Sequence, residues 1–272
     1  MKPLRRIAFV VNAGKDGALD YAKRLSASVH DALEAWEIFQ GDTLGEDMLQ
    51  GYDACCVIGG DGTILGVVRP AVKHRVPVIG INHGKLGFLT TYTQEEADDC
   101  LADLIAGHYH QTQRTLLTCR TAHQQEAMAL NDIVIKSSSN ANLVELRVSQ
   151  NGSLVNTYNS DGLIFCTPTG STAYNLAAGG PIMHPGSHVL AMTPISPHTL
   201  SNRSMVLSSE VELTVESVKP HPVPQVILDG KLPFGHETGS FPLRISLSEQ
   251  RFTLLHRDDY DHFSIVRNKL KW

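Results

Sequence analysis

The chain has 272 residues, 42% hydrophobic and 19% charged, which is room for one large core or two ordinary ones. A net charge of −5 with no long basic run gives nucleic-acid binding no support, and no apolar run approaches the roughly 18 residues of a membrane span. The cysteines, Cys55, Cys56, Cys100, Cys119 and Cys166, include no CxxC pair, which points to reduced thiols and a cytoplasmic protein.

The start, Met1 to Arg6, carries the charge of a secretory leader. The apolar run behind it, Ile7 to Val11, is too short for a leader core and reads as a buried strand ending in a loop over Asn12 to Gly17. Leu19, Ala22, Leu25, Val29, Leu33 and Trp36 then recur at helical spacing and predict one amphipathic helix. Next come a short strand near Trp36–Phe39, a buried strand over Ala54–Ile58, a helix ending before Pro70 and a strand over Pro77–Ile81. A helix from about Gln94 to Ala106 follows, with Ala97, Leu101, Leu104 and Ile105 on one face. This alternation predicts an α/β domain over residues 1–113 with a mainly parallel sheet.

After Arg114 the runs become short and β-branched: Thr115–Arg120, Ile133–Lys136, Leu143–Gln150, Ser153–Tyr158 and Leu163–Cys166. They resume at Met205–Leu207, Val211–Val215, Gln225–Leu228, Leu243–Leu247 and Arg251–Leu255. Asn151-Gly152 and Asp229-Gly230 are hairpin-turn signals. An all-β, sandwich-like domain is expected over residues 114–255, with Thr172 to Ala178 its one helical stretch. Residues 256–272 read as a C-terminal helix, apolar at Phe263, Val266 and Leu270, that returns to the first domain.

Three constellations carry chemistry. Gly59-Gly60-Asp61-Gly62-Thr63 joins the Ala54–Ile58 strand to a helix. Its glycines open the backbone to a phosphate, and the helix N-terminus supplies free N–H groups. The plain reading is a tight turn, but Asp61 would repel a polyphosphate unless a metal intervenes or the carboxylate has a proton to collect. Neither GxGxxG nor GxxxxGK[ST] is present. A second glycine-rich segment, Ser160 to Pro181, holds Thr167-Pro168-Thr169-Gly170-Ser171-Thr172-Ala173-Tyr174 followed by Ala178-Gly179-Gly180-Pro181. Ala173, Ala177 and Ala178 leave space there for a flat ligand, though close helix packing would use them equally. The third, Leu130-Asn131-Asp132-Ile133, is by itself an ordinary turn.

Together these elements resemble the NAD kinases. So do the supporting pieces Gly80-Ile81-Asn82, Gly84-Lys85-Leu86-Gly87-Phe88-Leu89 and Pro197-His198-Thr199-Leu200-Ser201-Asn202-Arg203. The likeness covers most of the chain, in the family's order. It implies transfer of the ATP γ-phosphoryl to the 2′-hydroxyl of the adenosine ribose of NAD, giving NADP, in a cleft between the two domains. It also implies a need for a divalent cation such as Mg²⁺, with metal ligands not identified, and a homo-oligomer, dimer or tetramer. Asp61 would be the general base, with Gly62 allowing close approach. Asn131 and Asp132 match the pair that holds the acceptor nucleotide, and Asp161 matches an aspartate near the nicotinamide. Thr172, Ala173, Tyr174, Asn175 and Ala177 match the segment around the adenine, and Phe88 lies in a matching motif.

Three positions depart from the family's habit: Asp132 where Glu is usual, Asn159 where many relatives carry a basic residue, and Lys231 where a neutral side chain is common. Each bears on substrate or donor preference. The histidines, His108 and His110 among them, read as structural or surface residues, with His198 the exception, expected near the cleft or a subunit contact. Glu95-Glu96 and Asp258-Asp259 read as helix starts or solvated faces. Two alternatives stay open: a kinase of the same superfamily acting on a lipid or sugar hydroxyl, and an NAD(H)-binding sensor without catalysis.

Overall fold

The computed structural model describes residues 1–41, 44–84, 87–138, 143–199, 201–219, 223–235, 240–257 and 261–272. Lys85, Leu86 and Leu200 of the family-like motifs and the Asp258-Asp259 pair lie outside them. The chain forms two compact units: Met1–Gln113 with Phe252–Trp272, and Arg114–Arg251.

In the first unit β1 (Arg6–Val11) is followed by α1 (Ala18–Val29), β2 (Ala35–Gln40), β3 (Ala54–Gly59), α2 (Asp61–His74), β4 (Val78–Asn82) and α3 (Gln94–Ala106). The strands lie parallel in the order β2-β1-β3-β4. Ile7, Phe9, Cys56, Ile58, Ile79 and Ile81 pack in one core with α1 and α3. Their alternate neighbours Ala8, Val10, Cys55 and Val57 are buried too, and α2 packs on β3. A strand buried on both faces must be continuously apolar, as these are. α3 opens on a capping box: Glu96 N–H donates to Thr93 Oγ1 at 3.2 Å and Thr93 N–H to Glu96 Oε2 at 2.7 Å. Glu96 is therefore a helix-start residue.

Two helix expectations are corrected. The stripe from Leu19 to Trp36 is not one helix, because α1 ends at Val29 and passes through a 3₁₀ turn at His30–Ala32. From Glu34 onward the backbone is committed to β1, with Glu34 N–H on the Arg5 carbonyl at 2.8 Å and Ala35 paired with Arg6. Trp36 is left 42% exposed on β2, whose one strand partner among the described residues is β1. The second helix does not stop before Pro70 but runs through it to His74. An interior proline costs about 3 kcal/mol. Buried Pro70, Ala71 and Val72 carry the apolar face past it, and burying one valine-sized side chain contributes about 1.5–3 kcal/mol.

The second unit begins within β5 (His110–Arg120) and continues with β6 (Glu126–Ala129), β7 (Asp132–Lys136), β8 (Val144–Gln150), β9 (Ser153–Ser160) and β10 (Gly162–Cys166). A 3₁₀ turn at Thr169–Thr172 and the short α4 (Tyr174–Ala177) precede β11 (Val189–Ile195), β12 (Met205–Ser208), β13 (Leu213–Ser217), β14 (Gln225–Leu228) and β15 (Leu243–His256), which belongs to this unit up to Arg251. One antiparallel sheet runs β12-β11-β10-β7-β14 and a second runs β15-β13-β8-β9. Ile133, Phe165 and Met192 of the first share a core with Leu146, Leu213 and Ile245 of the second. This is a two-layer sandwich.

Asn151 and Gly152 both take positive φ, 49° and 78°, and make the β8–β9 hairpin turn. The two strands expected at 243–247 and 251–255 are one strand, β15, since Ser248-Glu249-Gln250 has no glycine or proline to turn it. β6 and β11 carry no expectation from the sequence. β11 pairs on both sides despite Pro194, which lies next to its end. α5 (His262–Leu270), capped by Asp261, belongs with the first unit, where Val266 is buried and Phe263 exposed.

Candidate active site

In the first unit the glycine turn ends β3 and starts α2. A Cβ on Gly59 would stand 2.3 Å from Thr63 Oγ1, so contact, not φ, demands glycine there. Asp61 is the first residue of α2, where a carboxylate is favoured by the helix dipole. Its carboxylate is partly exposed and gathers a second motif. Oδ2 accepts Phe88 N–H at 2.8 Å, and Oδ1 accepts Leu89 N–H at 3.0 Å and Thr90 N–H at 3.3 Å. The fit leaves no slack: a Cβ on Gly87 would meet Asp61 Oδ1 at 1.9 Å, and one on Gly80 would meet the Leu89 carbonyl at 2.8 Å. Gly62 is exposed with open space where a Cβ would go. Phe88 is partly exposed, with the Lys269 ammonium 5.6 Å from its ring centre.

Lys15, which the sequence reading passes over, lies beside this turn. Its ammonium donates to the His83 carbonyl at 2.5 Å, and His83 N–H donates to the Gly59 carbonyl at 2.7 Å. The signal available in the sequence is its place in the loop after β1, at the carboxyl end of a parallel sheet where α/β proteins bind ligands.

In the second unit three distant turns interlock. Leu130–Asp132 precedes β7, Thr167–Gly170 follows β10 and Asp229-Gly230 follows β14. Thr167 N–H donates to the Asn131 carbonyl at 2.9 Å, Thr167 Oγ1 donates to the Leu130 carbonyl at 2.5 Å, and Gly170 N–H donates back to Thr167 Oγ1 at 3.1 Å. A Cβ on Gly170 would fall 2.1 Å from the Asn131 carbonyl oxygen. The Asp229 carboxylate accepts Leu130 N–H at 2.7 Å, Asn131 N–H at 2.8 Å and Asp132 N–H at 3.1 Å. Asp229 was legible as a turn residue but not as the clamp on this pair.

Asp132 is 6% exposed, and burial, reinforced by the charge of Asp229, pushes its carboxyl up to about 7. Burial also raises Asp229, against the lowering pull of its three backbone donors and of Lys231. The three N–H groups on its oxygens favour the charged form of Asp229 over that of Asp132, which has the larger tendency to hold a proton. Lys231 thus bears on the charge of Asp229.

Thr172 is partly buried, while Ala173, Tyr174 and Ala177 are exposed, Tyr174 at 43%. Asn175 lies inside this segment with its side chain turned into the protein. Expected against the adenine, it is fully buried; its amide donates to the Pro181 carbonyl at 3.0 Å and accepts Thr193 Oγ1–H at 2.7 Å. It holds Gly180-Pro181 and β11 to α4. Asp161 is exposed between β9 and β10, with its N–H on the Ile195 carbonyl at 3.0 Å. Exposed Asn159 accepts His198 N–H on its carbonyl at 3.0 Å. The expected site residues thus form one group on the first unit, Asp61, Gly62 and Phe88, and another on the second. The cysteines are all free and buried, and burial raises the thiol pKa of each.

Comparison with known proteins is consistent across its kinds. Residues 40–109 match the ATP-NAD kinase N-terminal domain and residues 130–256 the ATP-NAD kinase C-terminal domain. An NAD kinase of Pseudomonas putida is 35% identical over 291 residues, covering 100% of this chain and 97% of its own length. One from Cupriavidus pinatubonensis is 35% identical over 280 residues, covering 99% and 87%. Among solved structures, an NAD kinase from Archaeoglobus fulgidus in complex with ATP has 25% identity and a TM-score of 0.79, covering 98% of each chain. Yeast NADH kinase complexed with NADH superposes with a TM-score of 0.87 at 22% identity, over 100% of this chain and 88% of that one, a likeness of fold.

Proposed function

The chain belongs to the NAD kinase family, and from that premise we propose that it moves the γ-phosphoryl of ATP onto the 2′-hydroxyl of the adenosine ribose of NAD, with Asp61 as general base. The hydroxyl oxygen bonds to the γ-phosphorus, the bond from that phosphorus to the β-phosphoryl oxygen breaks, and the hydroxyl proton goes to Asp61. NADP and ADP leave.

The observation that carries the role of Asp61 is its hydrogen bonding. Oδ1 accepts two backbone N–H groups and Oδ2 only one, so Oδ2 keeps a lone pair for the hydroxyl proton. The three donors also fix the direction of that oxygen, and a positioned base contributes about 10²–10⁴-fold in rate. On the second unit, the exposed Tyr174 with Ala173 and Ala177 offers a ring and small neighbours for a base to lie on. Asn131 and Asp132, clamped by Asp229, would hold the acceptor nucleotide, and Asp161 its nicotinamide amide.

The family's divalent cation has no cage here: among the described residues no group of three His, Cys, Asp or Glu could hold a metal ion. Mg²⁺ in kinase sites is bound largely by substrate phosphates, and no step is assigned to it. Among the described residues no helix is long and apolar enough to cross a membrane. The buried free thiols favour a reducing, cytoplasmic setting. A homo-oligomer, dimer or tetramer, is the expected assembly, which light scattering on the purified chain would measure.

The deciding experiment incubates the protein with ATP, Mg²⁺ and NAD and reads NADP with an NADP-specific dehydrogenase, alongside polyphosphate as donor and NADH as acceptor. NADP from ATP and NAD supports the reading. Phosphorylation of a lipid without NADP, or NAD binding with no turnover, contradicts it.

A further inference from the structure

A carboxylate at the mouth of a phosphate-binding turn repels the polyphosphate it must approach, and the first unit holds a countercharge for it. Lys15 sits in the loop between β1 and α1, which bends where Gly14 N–H meets Asn12 Oδ1 at 3.0 Å and again at Gly17, φ 74°. Its ammonium lies over bare backbone. A Cβ on Gly60 would be 3.5 Å from that nitrogen and one on Gly84 3.4 Å, so glycine at both positions leaves the charge uncovered beside Asp61.

The placement is fixed by a clasp on His83. The His83 ring accepts the Gln94 side-chain amide on Nδ1 at 2.9 Å, which leaves the hydrogen on Nε2 to donate to the Asp16 carbonyl at 2.8 Å. Lys15 donates to the carbonyl of the same residue, and His83 N–H is tied to Gly59. The loop bearing Lys15 is thereby held at two points to the segment that flanks the glycine turn. Ordering a lysine costs side-chain entropy. Here the ammonium is held between two glycines instead of ranging through solvent, and His83 takes one of its three donors.

We propose that Lys15 is the protein's cation for the phosphoryl donor, contacting the β- and γ-phosphoryl oxygens of ATP over the Gly60 backbone. Its charge offsets that of Asp61 as the triphosphate arrives and stabilises the charge that grows on the β-phosphoryl oxygen as the bond to the γ-phosphorus breaks. The inference rests on the kinase reading above and adds the residue that meets the donor.

The test compares wild type with Lys15→Gln and Lys15→Arg for kcat and KM toward ATP and NAD at two ionic strengths, with NAD binding measured by calorimetry. Gln keeps a donor for the His83 carbonyl but loses the charge. It should lower kcat/KM for ATP about 10- to 100-fold and weaken its salt dependence, while NAD affinity stays unchanged. Arg should recover at least about a tenfold part of that loss. A Gln variant with wild-type kcat/KM for ATP would overturn the proposal, as would a calorimetric loss of NAD affinity as large as the loss in kcat/KM for ATP, the mark of a loop brace. NADP absent even from wild type overturns the kinase reading and this inference together; NADP from wild type with an unimpaired Gln variant overturns this inference alone.

Discussion

Gly87 stands where any side chain would collide with Asp61: a Cβ there would come within 1.9 Å of Asp61 Oδ1 and 2.5 Å of Thr90 Oγ1. The Gly59–Thr63 turn and the segment around Phe88 are one structure, in which a helix-start carboxylate and three backbone N–H groups hold each other in place.

Gly87→Ala should therefore move the carboxylate without removing it. The expected result is a drop in kcat of about 10²-fold, the scale of a 1 Å misplacement, with NAD affinity within a few-fold of wild type. Overpacking adds a stability loss of about 1–3 kcal/mol. Steady-state kinetics and a urea titration read the two effects separately, and a wild-type kcat would show that this contact does not position the base.

The clamp at Asp229 makes a graded prediction. Asn131 and Asp132 N–H both reach Oδ1, and only Leu130 N–H reaches Oδ2. Asp229→Asn keeps the oxygen that takes two of the three donors and should raise KM for NAD only a few-fold. Asp229→Ala strands all three donors, lowering stability by about 2–4 kcal/mol and raising KM for NAD at least about tenfold, with KM for ATP little changed. Equal effects of Asn and Ala would mean that the charge matters and not the hydrogen bonds.

Asp132 makes stability depend on pH in a definite direction. Its folded pKa, about 7, stands above the ordinary carboxylate value near 3.8, so the folded state binds a proton that the unfolded chain has released. The penalty is absent below about pH 4, grows as pH rises toward 7 and is flat above it. Asp132→Asn escapes it, so its stability relative to wild type should climb by about 1–3 kcal/mol between pH 5 and pH 8. Urea titrations at the two pH values check this, and a constant difference would refute the protonated Asp132.

Much of this architecture was legible because its signals are local. Apolar periodicity placed α3 to the residue, and Asn151-Gly152 marked a hairpin by the positive φ both residues take. The glycine turn, the Asn131–Asp132 pair and the Thr167–Ala178 segment stood out for similar reasons. How they interlock was not legible, because spacing does not encode which turn faces which. The Asp229 carboxylate reaches amides 97 to 99 positions earlier in the chain, and Lys15 meets a carbonyl 68 positions later. A polar residue in a small-residue segment suits a ligand or a buried network equally, so the burial of the Asn175 side chain in a network with Pro181 and Thr193 was not legible from spacing. Pro70 misled because local propensity yields to a helix face that stays buried on both sides of it.

The central claim is that Asp61 takes the proton of the attacking hydroxyl, and Asp61→Asn tests it most directly. Asn preserves the size of the side chain and an oxygen for the Leu89 and Thr90 N–H groups but cannot act as a base. Measured side by side, NAD affinity by calorimetry should stay within a few-fold of wild type, while kcat for NADP formation falls by at least about 10². A kcat near wild type with intact NAD binding would contradict the account.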